Sequence, residues 1–222
     1  MKTSHASATA QRESSQAPLQ PRGGLLDVSA LPSFAFSHRS LMWWSTAGLM
    51  AIEGAVFALA VVTMLFLRVH APAWPLSGQL PPALLWGTLN TLVMLSSVVP
   101  NHWTKRAAEA LDLRGARRGM VVCLGWAAVF LVVRVLEFRA LNCRWDDDAY
   151  GSIVWMLMGL HTAHLVTDFV DSSVLAAVLY RMPLAPRRFV DVSENCLYWD
   201  FVVLSWLPLY AAVYWLPRMG AS

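Results

Sequence analysis

From Leu41 onward the chain alternates long apolar stretches with short polar interruptions, and the apolar stretches are longer than a soluble helix or strand requires. Five of them approach the roughly 20 residues that a helix needs to cross about 30 Å of hydrocarbon. The pattern predicts helices over 41–67, 82–100, 119–138, 151–180 and 196–217. Breakers fall between them: Pro72 and Pro75, then Pro81 and Pro82; Pro100-Asn101; Gly115; the run Asp146 to Asp148; and Pro183 with Pro186. Lipid offers the backbone no hydrogen-bond partner, so segments within it must be helical. The expected fold is therefore all-α: a multi-pass bundle of five transmembrane helices over 41–217. A flexible cytoplasmic arm over 1–40, rich in Ser, Ala, Gln and Pro, is expected before it, without the short apolar stretch of a secretory signal.

Composition sharpens this picture. Of 222 residues, 57% are hydrophobic and 14% charged, with a mean hydropathy of +0.48. Average soluble chains carry about a quarter charged residues, so a water-soluble enzyme is excluded. A net charge of +3 is too weak for a nucleic-acid binder. The basic residues instead report orientation. Lys105, Arg106, Arg114, Arg117 and Arg118 crowd one interhelical segment, and Arg181, Arg187 and Arg188 another, while the opposite side holds only Arg68, Arg139, Arg144 and Arg218. The amino terminus is thus expected inside and the carboxyl terminus outside. Cys123, Cys143 and Cys196 lie in different segments and form neither a disulfide framework nor a zinc motif.

Ionisable side chains in hydrocarbon are costly and mark candidate sites. The expected spans contain Glu53, Arg134, Glu137, His161, His164, Asp168 and Asp200, with Asp171 near a boundary. His161, His164, Asp168 and Asp171 follow at spacings of three, four and three, which places them on one stripe of the fourth helix. Counting the rise per residue puts Glu53 and His161 at one level, and Asp200 at the depth of Asp168 and Asp171. Arg134 and Glu137, three apart, are expected to pair within their helix or to snorkel outward. Three readings of these groups are open: hydrogen bonds that hold helices together, a proton- or cation-coupled transporter using Asp168, Asp171 and Asp200, and a metal site around His161 and His164.

The motifs resemble subunit III of the haem-copper oxidases in a short, five-helix bacterial form. The first span keeps a buried Glu in Ala51-Ile52-Glu53-Gly54-Ala55-Val56-Phe57. The second carries Leu89-Asn90-Thr91-Leu92 and Ser96-Ser97. The third ends Val132-Val133-Arg134-Val135-Leu136-Glu137-Phe138. The fourth has Gly159-Leu160-His161-Thr162-Ala163-His164, similar to a His-Gly-Leu-His pattern. The fifth reads Tyr198-Trp199-Asp200-Phe201-Val202, followed by Trp206 and Tyr214-Trp215. The chain departs from the pattern at Asp200, where the family has His, at Val203, where it has Asp, and at Asp168 and Asp171, where apolar or small residues are usual.

The resemblance implies a non-catalytic accessory subunit of a cytochrome c or quinol oxidase in a bacterial inner membrane, serving aerobic electron transport. It has no catalytic, cofactor-binding or metal residues of its own. The haem and copper belong to the partner catalytic subunit, with other respiratory subunits alongside. Bound phospholipid and assistance to oxygen or proton access are further expectations, with Glu53, Glu137, His161, His164, Asp168 and Asp200 as buried structural or lipid-linked groups. An accessory role to a nitric oxide reductase is the alternative within the same reading.

Overall fold

The computed structural model describes residues 35–181 and 185–219. Among the described residues there are five long helices: α1 (Leu41–His70), α2 (Leu84–Glu109), α3 (Leu113–Arg139), α4 (Ala149–Arg181) and α5 (Arg187–Tyr210). α5 runs on through a π-helical turn at Ala211–Trp215 and a 3-10 turn at Leu216–Arg218. The expected arm lies mostly outside the described residues. Its end forms a 3-10 turn at Ser37–Arg39, after which the Ser40 side chain caps α1 by accepting from the Met42 N–H at 3.1 Å.

α2 packs on α3 and α5, and α4 packs on the same two, which closes a four-helix ring; α1 leans on α4 and α5 from outside. The ring encloses Met94, Phe130, Leu157, Met158, Trp206 and Leu209, with a second apolar cluster of Ala116, Met120, Leu179, Phe189 and Cys196. On the outer surface of α1, Ile52, Val56, Leu59, Val62, Phe66 and Val69 are exposed at helical spacing, as expected of a face turned to lipid.

Among the described residues four helices are long and apolar enough to cross a membrane: Leu41–His70, Leu113–Arg139, Ala149–Arg181 and Arg187–Arg218. α2 falls short because it buries a polar stripe, Asn90, Thr91, Ser97, Asn101 and Thr104, while its other side exposes Leu85, Leu89, Leu92, Leu95, Val99 and Trp103. Its polar residues face protein and its apolar ones face outward, the reverse of a helix in a soluble core.

Several predicted breaks are not breaks. Pro100 lies inside α2, which continues to Glu109. Proline removes one backbone bond, but the Asn101 side chain ties this turn to α5 and the Thr104 hydroxyl donates back to the Pro100 carbonyl at 2.8 Å. Gly115 sits in the first turn of α3; the reversal comes at Leu111, with φ of 57°, and at Asp112, whose carboxylate accepts from the Arg114 N–H at 3.0 Å. α5 begins at Arg187, nine residues' worth of span before the predicted 196, because Phe189, Val190, Val192 and Ser193 are buried against the bundle.

The acidic run does break the chain, and its charges are used locally. Arg144 pairs with Asp146 at 3.0 Å, and Asp148 accepts from the Gly151 N–H at 2.8 Å at the start of α4. The Arg144 hydrogen bond holds the Asp146 carboxyl below the usual carboxylate range. Burial, aided by Asp148 and Asp147, pushes the Cys143 thiol up to about 11.

A Cβ at Gly151 would overlap the Arg144 carbonyl, and one at Gly87 would enter the Tyr214 ring, whereas Gly48 and Gly159 have open space. Gly151→Ala and Gly87→Ala are each expected to cost about 1–3 kcal/mol, and Gly48→Ala and Gly159→Ala to be neutral or stabilising in thermal melts in detergent. Iodoacetamide labelling of Cys143, followed by peptide mass spectrometry, should be slow at neutral pH and rise steadily with pH, levelling off only near 11.

Candidate functional site

Side chains from α2, α3 and the turn that continues α5 converge on the Glu137 carboxylate. Arg134 approaches it at 2.8 Å, three residues back on α3, and both side chains are only 1% exposed. Asn90 of α2 donates to Oε2 at 2.5 Å and the Tyr214 hydroxyl to Oε1 at 2.5 Å. A carboxylate with a cation and two further donors is compensated in a way that a lone buried charge is not. The expected pair forms, and it turns inward instead of snorkelling. The π-helical turn buries Ala212, Val213 and Tyr214 in succession, and Gly87 leaves room on α2 for the Tyr214 ring.

Arg134 carries the network onward. Its guanidinium lies 4.1 Å from the Trp206 ring centre and 5.1 Å from that of Phe130, and its Nη2 donates to His161 Nδ1 at 3.1 Å. The His161 Nε2 donates to the Val202 carbonyl at 3.1 Å. Arginine can only donate and a carbonyl can only accept, so the partners define the Nε2–H tautomer, with both ring nitrogens occupied. Trp206 donates to Thr91 at 2.8 Å, and one level away Trp199 donates to Ser97 at 2.9 Å. Each of these bonds joins different helices.

α1 is held by a smaller set. Glu53 accepts from the Tyr198 hydroxyl at 2.9 Å and faces His164 Nε2 at 3.5 Å. His164 Nδ1 donates to the Leu160 carbonyl at 2.7 Å, which turns Nε2 toward Glu53. Glu53 therefore meets His164 and not His161, the pairing that depth alone suggested. The stripe on α4 explains the difference. His161 and Asp168, seven apart, point into the ring, while His164 and Asp171 lie about 60° round the helix toward α1.

Asp200 does not join Asp168 and Asp171. It accepts from Asn101 Nδ2 at 2.8 Å and stands 3.8 Å from His102, on the α2 side of α5. Asp171 is approached by Asn195 at 3.5 Å, and Ser172 donates to Asn195 at 3.0 Å. The three-carboxylate arrangement considered for a transporter is thus divided between two faces of α5. Among the described residues no three His, Cys, Asp or Glu side chains form a group able to hold a metal ion, and the two histidines of α4 face different neighbours.

Two clefts flank α1. One, of about 660 Å³, is bounded by Glu53, Asp168, Asp171 and Tyr198 together with Leu49 and Val174. The other, of about 450 Å³, is apolar and lies between Gly54, Phe57 and Val61 of α1 and Phe201, Leu204 and Pro208 of α5.

Comparison with known proteins decides the family. The chain matches the family cytochrome c oxidase subunit III over residues 46–218. It belongs to that family. The subunit 3 of Emericella nidulans is 29% identical over 178 residues, covering 76% of this chain and 65% of that protein. That of Pylaiella littoralis is 25% identical over 174 residues, covering 75% and 64%. For Thermostichus vulcanus the figures are 26% over 170 residues, 75% and 83%. Against the first two relatives, this subunit III family member spans just under two thirds of their length.

Sequence reasoning placed the ionisable residues of this site but missed the role of Asn90, Asn101, Tyr198 and Tyr214 as their partners. A signal for the first two was present: Asn90, Thr91, Ser97, Asn101 and Thr104 recur at helical spacing along one side of α2. The tyrosines carry no such signal, since only the fold brings them to Glu53 and Glu137.

The network yields a double-mutant test. Arg134→Met should cost about 3–5 kcal/mol by leaving the Glu137 carboxylate short of its cation. Combined with Glu137→Gln it should cost less than the two single changes added together, as thermal unfolding in lipid nanodiscs would measure.

Proposed function

We propose that this chain is a non-catalytic accessory subunit of a respiratory haem-copper oxidase, holding the catalytic subunit that carries haem and copper. The observation that supports it most is how the buried polar groups are used. Arg134, Glu137, His161 and Asn90 direct their hydrogen bonds at one another and at neighbouring helices, which suits a scaffold and leaves no converging set of free ligands. Family membership favours the same reading.

On this reading α2 is a fifth crossing, with its apolar side turned to lipid or to a partner helix. The amino terminus lies on the cytoplasmic side of a bacterial plasma membrane, in keeping with the basic residues around the α2–α3 and α4–α5 connections. The apolar cleft between α1 and α5 holds a phospholipid acyl chain, and Glu53 with His164 and Tyr198 fixes α1 beside it. Oxygen or proton access to the partner is a further role of the same region.

Affinity purification from native membranes should recover a haem-bearing subunit with this chain, while the chain produced alone should show no haem absorbance. A nitric oxide reductase in place of an oxidase would redirect the proposal to that complex, and recovery of no redox partner would overturn it. Glu53→Gln should fold yet shorten sustained oxygen consumption by the assembled complex, and unchanged turnover would remove Glu53 from the mechanism.

A further inference from the structure

Asp168 is a buried acidic group of α4 that the hydrogen-bonded scaffold does not use. It is 4% exposed, and among the described residues no side chain or backbone group hydrogen-bonds to it; its Oδ1 is fully buried without a partner. The carboxyl stands where two spaces meet. One is the open cleft of about 660 Å³ beside α1. The other is a narrow cavity of about 20 Å³ bounded by Asn101, Cys123, Ser172, Asn195 and Trp199, with room for one water molecule and polar atoms to hold it.

The surroundings oppose a bare carboxylate. Asp171 lies one turn along on α4, Glu53 faces the same cleft from α1, and Asp191 and Glu194 face it from α5. Cys123 of α3 and Tyr198 of α5 are weak acids that supply no positive charge. Arg188 is the base lining the cleft among the described residues, and it sits one turn before Asp191 on the first turn of α5. An ionised carboxylate with a buried, unpartnered oxygen amid these acids costs far more than a carboxylic acid that donates to water.

We propose that Asp168 is a proton-exchange site, in which a carboxylic acid donates to one water in the narrow cavity and trades its proton with bulk water through the open cleft. The ligand is a proton carried by water. The O–H bond of the acid breaks as a water in the cleft becomes hydronium, and the reverse step restores it, so no other reactant is needed. The carboxylate left behind faces Asp171, which favours return of the proton. This site is separate from the Glu137 network and from the Glu53–His164 joint, and it does not depend on which complex the chain serves.

Infrared spectroscopy of the full chain in lipid nanodiscs, with aspartate carboxyl carbons isotope-labelled, reads the proton directly. A label-shifted carboxylic-acid band is expected at neutral pH. It should shift promptly on transfer to heavy water, disappear in Asp168→Asn and persist in Asp200→Asn. Asp168→Asn replaces a neutral acid by a neutral group of the same shape, so its melting temperature should match that of the parent. Asp168→Glu supplies the assignment independently, because the band should remain but lose its aspartate label. Absence of the band in the parent chain, its survival in Asp168→Asn, or resistance to heavy water while the chain stays folded would each overturn the proposal.

Discussion

The structure depends on a constraint that hydrocarbon imposes: a charge taken into the bundle is costly unless neighbouring groups there compensate it. The Arg134–Glu137 pair is where that constraint bears hardest. Neither group has access to water, so the guanidinium and carboxylate are compensated by each other, by Asn90, by Tyr214 and by His161, drawn from α2, α4 and α5. Satisfying one ion pair therefore fixes the relative rotation of four helices. The Trp206 ring under the guanidinium and the Gly87 gap for Tyr214 follow from the same arrangement, since each group must reach the pair without colliding with its neighbours.

α1 meets the constraint differently. Among the long helices it packs mainly on α4 and α5, and its polar attachment is the Glu53, His164 and Tyr198 cluster. Clefts open on both sides of that attachment, one lined by acids and one apolar. A helix joined to the ring by few polar groups, with space beside it, can accept lipid or a neighbouring subunit while the ring remains unchanged. This division between a tightly satisfied ring and a loosely seated outer helix is the physical basis for the scaffold reading.

A membrane subunit of this kind also shows why polarity misleads when read along one helix. Among the five described long helices α2 is the one that falls short of the apolarity a crossing requires, and its polar residues serve as hydrogen-bond partners of other helices. A scale that sums apolarity penalises the groups that make the helix belong in the bundle. Pro100 misleads for a related reason: its missing backbone bond matters less than the Asn101 tether that carries the helix past it.

The sequence by itself determined that the chain is a helical membrane protein, where its major helices lie, and which ionisable groups sit within them. Those properties are written in apolar length and in the rarity of charge, which need no knowledge of neighbours. Motif order also exposed the family before any geometry was known. Only the tertiary structure decided which groups meet. His161 and His164 are three residues apart, yet one serves Arg134 inside the ring and the other serves Glu53 outside it. Counting along the helices puts Asp200 and Asp168 at one depth, but Asp200 of α5 bonds Asn101 of α2 while Asp168 of α4 lines the cleft beside α1. Depth follows from counting residues along a helix, whereas rotation about the helix axis is set by packing against other helices, and hydrogen bonds reach too short a distance to tolerate an error in that angle.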